Sequence, residues 1–372
     1  MRFLIYLFWN IFETLLRFIP LPSKIGWIPI GDPGPDSPVF LTCNFHLSVI
    51  RVKHALRKIN AHLLVADSRG INVWCAAAGG HLTNHDVISV LKTSGIADRV
   101  NHRRVILPQL AAAGIEAKII STRTGWTVIW GPVYARDIPS FLKNKRIKRP
   151  SMRDVRFHFV QRMEMAAAWA FSVSVVSSAV LFFVWREAVF PVAGFIWVLA
   201  VTVFALFPIY SVLQRSRLGR IGIFIVFLGA CLGGLVLVSF LGGDTTWKFY
   251  LTWGSVLALI VLILTCDIPG STPVLKSQFH DEKFYQVVLD SDKCRGAAFC
   301  EDVCPRNCFD VDNENRVALL TGIHRCVRCS ACIVQCPFDA LTFQSPSGDI
   351  LSPERIRRQK LSLSGKRSLK RK

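Results

Sequence analysis

Eight of the chain's twelve cysteines lie between Cys294 and Cys336. The run Cys326-x2-Cys329-x2-Cys332-x3-Cys336-Pro337 puts three thiols on one tight turn and a fourth just beyond it, ahead of a proline. Three thiols so close can each hold an iron of one cube, while the fourth reaches a second cluster. Upstream, Cys294-x5-Cys300-x3-Cys304-Pro305 repeats the frame with Ala297 where a second ligand would stand. Under this crossed arrangement Cys326, Cys329, Cys332 and Cys304 hold a complete [4Fe–4S] cluster. Cys294, Cys300 and Cys336 hold the other, which lacks one thiolate: a [3Fe–4S] or an incompletely ligated [4Fe–4S] cluster. Cys308 is the nearest spare thiol and a candidate extra ligand, although a small buried residue would serve as well there. Zinc is the structural alternative, but four close cysteines ending in Cys-Pro are not its usual frame. Clustered thiolates call for a reducing compartment, not for a secreted disulfide framework.

A second chemistry-bearing residue is Cys75, in Asn72-Val73-Trp74-Cys75-Ala76 after the turn Asp67-Ser-Arg-Gly70. Cysteine beside tryptophan is ordinary core, and spacing alone gives it no role. The chain shows no Ser-His-Asp order, no P-loop and no Gly-x-Gly-x-x-Gly. The cobalamin-binding Asp-x-His-x-x-Gly pattern is also missing, and His46, His62, His81, His85 and His102 are scattered.

The elements that would carry these residues fall into three regions. Residues 39–142 alternate short apolar strands with helical stretches, as a parallel α/β sheet does. Strands are predicted at Val39–Thr42, His62–Ala66, Val105–Leu107, Ala117–Ile120 and Thr127–Trp130, the last closed by Gly131-Pro132. Helices are predicted over His46–Ile59 and from an Asn84 cap to Lys92. Residues 163–267 hold four uncharged runs, 165–185, 188–210, 221–243 and 249–266, and about 20 helical residues cross a bilayer. Residues 284–344 form the cysteine domain.

Residues 1–19 place Asn10, Glu13, Thr14 and Arg17 on one helical stripe, with Phe3, Leu7, Phe8, Ile11, Leu15 and Phe18 away from it. This predicts an amphipathic interfacial helix, with a tilted span as the alternative. A Pro/Gly-rich linker, 20–38, follows.

Half the chain is hydrophobic and 19% is charged, too apolar for an ordinary soluble enzyme. Of the net charge of +20, residues 143–162 carry +7 and residues 352–372 carry +8. One stretch abuts an apolar run and the other is a tail, so membrane lipid is the expected partner and nucleic acid is not. The basic flank at 143–162 and Arg215, Arg217 and Arg220 between spans two and three put those loops in the cytoplasm. Four spans then leave both globular domains facing the cytoplasm from a multi-pass position in the inner membrane.

Several stretches resemble known families. Residues 284–344 resemble bacterial two-cluster ferredoxins, and Cys304-Pro-Arg-Asn-Cys308-Phe309 resembles the matching part of seven-iron ferredoxins. Leu63-Leu-Val-Ala-Asp-Ser-Arg-Gly-Ile-Asn-Val-Trp-Cys-Ala-Ala77 closely resembles the corrinoid domain of the mercury-methylating HgcA family. That family is related to the large subunit of the corrinoid iron–sulfur protein of acetyl-CoA synthesis. The likeness continues through Val100–Leu110, Gly114 and Gly125–Val133 to Asp137–Leu142. The cysteine domain resembles HgcB, usually a separate chain, so the whole resembles an HgcA–HgcB fusion.

The resemblance implies an α/β Rossmann-like corrinoid domain, a four-helix transmembrane domain and an α+β two-cluster ferredoxin domain. It implies a cobalamin-like corrinoid contacted by Asn72, Val73, Trp74, Cys75, Ala76, Gly131 and Pro132, with Cys75 as the cobalt ligand and catalytic residue. The activity implied is corrinoid-dependent methyl transfer, with inorganic Hg(II) as the leading acceptor. The partners implied are a methyl-donor corrinoid methyltransferase and an upstream electron donor. Two departures bear on the substrate. Ala78-Gly79 replaces the family's Gly-Lys, and the tail has no cysteine pair. The other readings are a methyl carrier of one-carbon metabolism and a membrane-tethered electron-transfer protein without corrinoid.

Overall fold

Val39–Cys43 and Ala61–Ala66 are buried at every position, as central strands covered on both faces must be. In the computed structural model, which describes residues 3–242, 246–275 and 285–359, they pair in parallel at the centre of a five-stranded sheet. The sheet comprises β1 (Gly26–Ile30), β2 (Val39–Cys43), β3 (Ala61–Ala66), β4 (Arg104–Pro108) and β5 (Thr127–Gly131) in the order β1-β3-β2-β4-β5. Only β1 runs antiparallel among them. The chain leaves β2 first toward β3 and later returns to its other side as β4. Such a reversal is the switch point beside which α/β sheets bind ligands, at the carboxyl ends of the strands.

Four sequence expectations change here. The stretch 20–38 is not simply a linker, because Gly26–Ile30 completes the sheet as an edge strand. Ala117–Ile120 is not a strand but the start of helix Ala117–Thr124. Its entrance is pinned by Asn84, whose side chain accepts from the Glu116 N–H at 2.7 Å and donates to the Glu116 carboxylate at 3.0 Å. Gly125, left-handed at φ +71°, ends it. The helix predicted from 46 to 59 stops at Ala55. Asn84 is not the cap of its own helix, since Thr83 and Asp86 form a capping box there.

The same unit contains residues 3–10, 20–155 and 285–359. Its C-terminal part is small and β-rich. An antiparallel sheet joins Gln286–Leu289 to Leu341–Gln344 and Ile350–Leu351, and a hairpin pairs Asp310–Asp312 with Val317–Leu319. The tail expected from 352 begins as a packed helix, Pro353–Gln359, with Ile356 fully buried. Arg357 donates to the carbonyls of Ile333 and Cys336, at 3.2 and 2.9 Å. A cation at the end of a helix satisfies its last carbonyls and its dipole. The remainder of the predicted tail, 360–372, lies outside the described residues, as does Gly243 of the third predicted span.

The second unit holds residues 11–19 and 156–275. Its four helices, Phe159–Val184, Val189–Tyr210, Arg217–Gly242 and Trp247–Ser271, are long and apolar enough to cross a membrane. The first, third and fourth overrun their predicted spans at one end or both, because polar residues such as Gln161 and Arg217 continue the helix beyond the apolar core, whereas the second stays within 188–210. Ala166 and Ala170 let the first two helices approach closely, and an aromatic chain, Phe157, Phe207, Tyr210 and Phe227, ties three segments together. Outward faces are apolar: Phe183 and Phe190 are each 86% exposed.

The stripe on the N-terminal helix, Phe3–Leu15, turns inward. Asn10 accepts from Arg51 Nε at 2.8 Å in the first unit. In the second unit Glu13 and Thr14 are buried and Arg17 faces Glu164 at 3.7 Å. Phe3, Phe8, Ile11 and Phe18 stay exposed.

Candidate functional site

Asn44, just past β2, organises the carboxyl edge of the sheet. Its buried Oδ1 accepts from Ser68 N, Ser68 Oγ and Gly70 N at 2.8 to 2.9 Å, and its Nδ2 donates to Asp67 at 3.0 Å. The turn 67–70, with Arg69 and Gly70 both at positive φ, is fixed by these bonds. It leads to Asn72, which caps α3 (Val73–Gly79) by accepting from the Cys75 N–H at 3.0 Å. The Cys75 side chain is exposed, whereas Ala76, Ala77 and Ala78 are buried and Val73 and Trp74 pack on the core.

Gly114 explains the small residues on α3. A Cβ on it would stand 2.6 Å from the Ala77 carbonyl oxygen, so a side chain there would push α3 away. Gly131 has the same kind of reason, since a Cβ would stand 3.0 Å from Ile106. The structure thus puts Asn72–Ala76 on α3 after β3, and Gly131-Pro132 separately, at the end of β5.

The eight cysteines divide between two cavities. One, with about 340 Å³ free of protein atoms including its mouth, is lined by Cys294, Cys300 and Cys336, with Ala297, Phe299 and Phe338. The other, about 300 Å³ on the same measure, is lined by Cys304, Cys308, Cys326, Cys329 and Cys332, with Arg306 and Arg328. Cys308, which the sequence left open as an extra ligand, is not among the residues lining the first cavity. It lies in the second cavity, where its N–H meets Cys304 Sγ at 3.3 Å.

Among the described residues no three His, Cys, Asp or Glu side chains converge as ligands of a single ion would. A cluster poses a different test, because its thiolates take separate irons around a body and so line a void. The donor sets and voids fit that geometry. Burial pushes the Cys300 thiol up to about 12 and raises those of Cys329 and Cys332. A hydrogen bond from Cys308 lowers that of Cys304.

The cysteine region and the α/β domain share a core. Val303, Val327, Cys329 and Ala331 pack in one cluster with Ala76, Ala111, Ala112 and Ala113. Gln335 Nε2 donates to the carbonyls of Ala112 and Ile115 at 2.8 and 2.6 Å. Two basic residues of the stretch expected to meet lipid, Lys148 and Arg153, strap this seam, while Lys143, Lys145 and Arg149 stay exposed. Lys148, its side chain 3% exposed, reaches Asp302 Oδ1 at 3.0 Å, Asp302 O at 2.7 Å and Gln109 Oε1 at 3.0 Å. Arg153 pairs with Glu301 at 2.7 Å. Arg306 faces Asp154 at 3.7 Å and donates to Val155 O. Burial lowers the Lys148 pKa to about 8, with Asp302 pulling the other way.

Sequence reasoning missed Asn44, Gln109, Lys148, Asp302, Arg328 and Gln335. Gln109 lay within a recognised stretch, Lys148 within the basic stretch, and Asp302, Arg328 and Gln335 within the cysteine frames, but none was marked out by its own type or spacing, and Asn44 gave no local signal.

Comparison with known proteins gives a family match in the N-terminal part. Residues 17–142 match the family model of the CO dehydrogenase/acetyl-CoA synthase delta subunit, CdhD. The chain is 37% identical over 126 residues to the acetyl-CoA decarbonylase/synthase complex subunit gamma of Archaeoglobus fulgidus, covering 33% of this chain and 26% of that protein. It is 39% identical over 127 residues to the same subunit of Methanocaldococcus jannaschii, covering 34% and 26%. The chain spans about a quarter of the length of the curated relatives it matches. Over residues 17–142 it is thus similar to the delta subunit of CO dehydrogenase/acetyl-CoA synthase, and over about a third of its length to gamma subunits of the acetyl-CoA decarbonylase/synthase complex.

Proposed function

We propose that this chain is a membrane-held corrinoid protein that transfers a methyl group, with its C-terminal region as an iron–sulfur reductant. The leading acceptor is inorganic Hg(II). The observation that carries the reading is the shared core, in which the wall of the second cysteine cavity packs with Ala76 of α3, one residue from Cys75. The first cavity has no comparable place in that core. Cys304, Cys326, Cys329 and Cys332 would hold the complete cluster, and Cys294, Cys300 and Cys336 the incomplete one.

When bound, a cobalt corrinoid supplies a metal-carried methyl group and the clusters supply single electrons. The chain's own residues do the rest. Cys75 presents an exposed sulfur, and the thiolate is the form that ligates metal. Asn72 and the Asn44-held turn fix where that sulfur sits. The packed seam keeps the reductant docked, beyond the high effective concentration that a tether alone provides. Asn72, Val73, Trp74, Ala76, Gly131 and Pro132 remain the proposed corrinoid contacts. The four helices hold the chain in the inner membrane with both globular regions on the cytoplasmic side, and the exposed apolar face of Phe3–Leu15 lies against lipid. A methyl-donor methyltransferase and an upstream electron donor complete the cycle.

The similarity to acetyl-CoA decarbonylase/synthase subunits favours one second reading, a methyl carrier of one-carbon metabolism. Ala78 stands buried in the core where the resembled family has glycine, and Gly79 stands where it has lysine. Anaerobically purified full-length protein should contain cobalt, and Cys75→Ala should change its spectrum and abolish methylmercury formation. Cobalt with methyl transfer but no mercury product would favour the carrier. Absence of cobalt would leave an electron-transfer protein and overturn both.

A further inference from the structure

Residues 3–10, 46–60 and 138–149 carry nine Lys/Arg and not one Asp or Glu. The fold gathers these three segments. Helices His46–Ala55 and Ile138–Lys143 pack on one face of the sheet, with Val49, Ala55 and Phe141 against Phe40, Leu63 and Ile106. The start of the N-terminal helix lies along the first of them. Tyr6 stacks on His54 with ring centres 3.8 Å apart, and Asn10 accepts from Arg51. The opposite face, which packs through Leu41, Leu64 and Leu107, has mixed charge. Its helix Asn84–Thr93 sets Asp86 against Lys92, and Glu116 stands just ahead of Lys118 and Arg123. Ala76 of α3 and Val303 and Val327 of the cysteine region belong to the cluster on that opposite face.

The acid-free face is cationic and apolar together. Phe3, Leu4 and Phe8 are 65%, 76% and 61% exposed. Arg57 and Lys58 stand exposed just past His46–Ala55, as do Lys143 and Lys145 at the end of Ile138–Lys143. Beside them a tight loop leaves Ile147 65% exposed. Asn144 Nδ2 donates to the Ile147 carbonyl at 2.7 Å, and the Arg146 N–H donates to Phe141 O at 3.0 Å. Burial, and after it the charge of Arg104, lowers the Arg146 pKa, and a phosphate would relieve that like-charge contact. Lys148 and Arg153 turn to the seam and take no part.

We infer that this face of the α/β domain docks on an anionic lipid leaflet, its apolar residues entering the leaflet and its cations meeting headgroup phosphates. This rests on the reading of the four helices as membrane spans, and goes beyond it by laying the α/β domain itself on lipid. Charge complementarity selects the occupant. Apolar side chains flanked by Lys/Arg, with no carboxylate among them, suit an interface whose hydrocarbon lies under negative headgroups. Its consequence is positional: Cys75 follows α3, which packs on the other side of the sheet, so a leaflet on this side leaves that sulfur uncovered.

The test is hydrogen exchange, read by mass spectrometry, of the full-length protein in nanodiscs of phosphatidylcholine alone or mixed with phosphatidylglycerol. Each Lys or Arg near an anionic leaflet contributes roughly fivefold to binding, so several together should slow exchange within 3–10, 46–60 and 138–147 by at least about tenfold in the anionic discs. Asn84–Thr93 and Ala117–Thr124 should exchange alike in both. Salt at about 1 M, where screening acts within about 3 Å, should remove the difference in the wild-type protein. Arg57→Gln, Lys58→Gln, Lys143→Gln and Lys145→Gln combined should remove it at low salt. Lys58→Arg, Lys143→Arg and Lys145→Arg combined should keep it. Equal exchange of the wild-type protein in the two kinds of disc overturns the inference. So does a difference that survives both salt and the glutamine changes, or one as large over Asn84–Thr93 as over 46–60. Failure of the protein to enter discs of either kind overturns the membrane reading, and the inference with it.

Discussion

Replacing Lys148 with methionine keeps a long side chain and deletes a buried charge, and the structure sets the two sides of the balance. Burial lowers the lysine's pKa from 10.5 to about 8. At neutral pH the ammonium is therefore held in place against roughly 3 kcal/mol. Methionine has no such penalty. It loses the bonds to Gln109 and to the Asp302 carbonyl, about 1 kcal/mol each, and leaves the Gln109 oxygen short of a donor for about 1–3 kcal/mol more. Asp302 is 43% exposed, so water replaces much of what its carboxylate loses. The two sides nearly cancel, and Lys148→Met should change the seam's stability by no more than about 1–2 kcal/mol. Asp302→Ala leaves the lysine in place without its carboxylate. At pH 7 the electrostatic loss is capped at about 1.4 kcal/mol, because a lysine titrating near 8 can shed its proton instead. Hydrogen exchange read by mass spectrometry over Phe299–Val303 and Gln109–Ala113 measures both variants. A loss of about 4 kcal/mol or more in Lys148→Met, together with a loss in Asp302→Ala well above that cap, would show that the ion pair outweighs its desolvation and refute the reasoning.

The remaining expectations are as follows. Gln335→Ala leaves the buried carbonyls of Ala112 and Ile115 without their donor and should destabilise the docked C-terminal region by about 2–4 kcal/mol, read from its urea midpoint. Asn44→Ala strips the 67–70 turn of three acceptor bonds and should cost about 2–4 kcal/mol, with faster exchange at Ser68 and Gly70. Between about pH 8 and 10.5 an undocked Lys148 holds a proton that the docked one has released, so docking tightens as pH rises through that window, by up to roughly 1.4 kcal/mol per unit. Below pH 8 both forms are protonated and Lys148 gives no slope, and in Lys148→Met the dependence should vanish from urea midpoints compared across that range.

Much of the fold was legible because burial writes itself into composition. Strands covered on both faces read as continuous apolar runs, and four membrane-length helices read as uncharged stretches. What failed was decided by contacts distant in sequence. Ala117–Thr124 carries β-branched residues that suit a strand, yet Asn84, 32 positions away, pins its first turn as a helix. Gly26–Ile30 sits among prolines and reads as a linker until β3 offers it an edge.

The site was legible in the same proportion. Cysteine spacing separated the two groups, because three thiols on one turn have few arrangements open to them. What spacing could not give was the side of the cysteine region that faces the α/β domain. That choice is made by Val303, Val327 and Ala331, unremarkable residues whose partners, Ala111–Ala113, lie about 200 positions earlier. Charge misled at Lys148 and Arg153 for a related reason. Residues 143–155 look like a lipid-facing basic stretch, since Asp154 is their one acidic residue against six Lys/Arg. Glu301 and Asp302, the partners of Arg153 and Lys148 in the fold, lie between Cys300 and Cys304. The acidic pair that stands between the two cysteine groups therefore also ties them to residues 143–155, from a single five-residue helix.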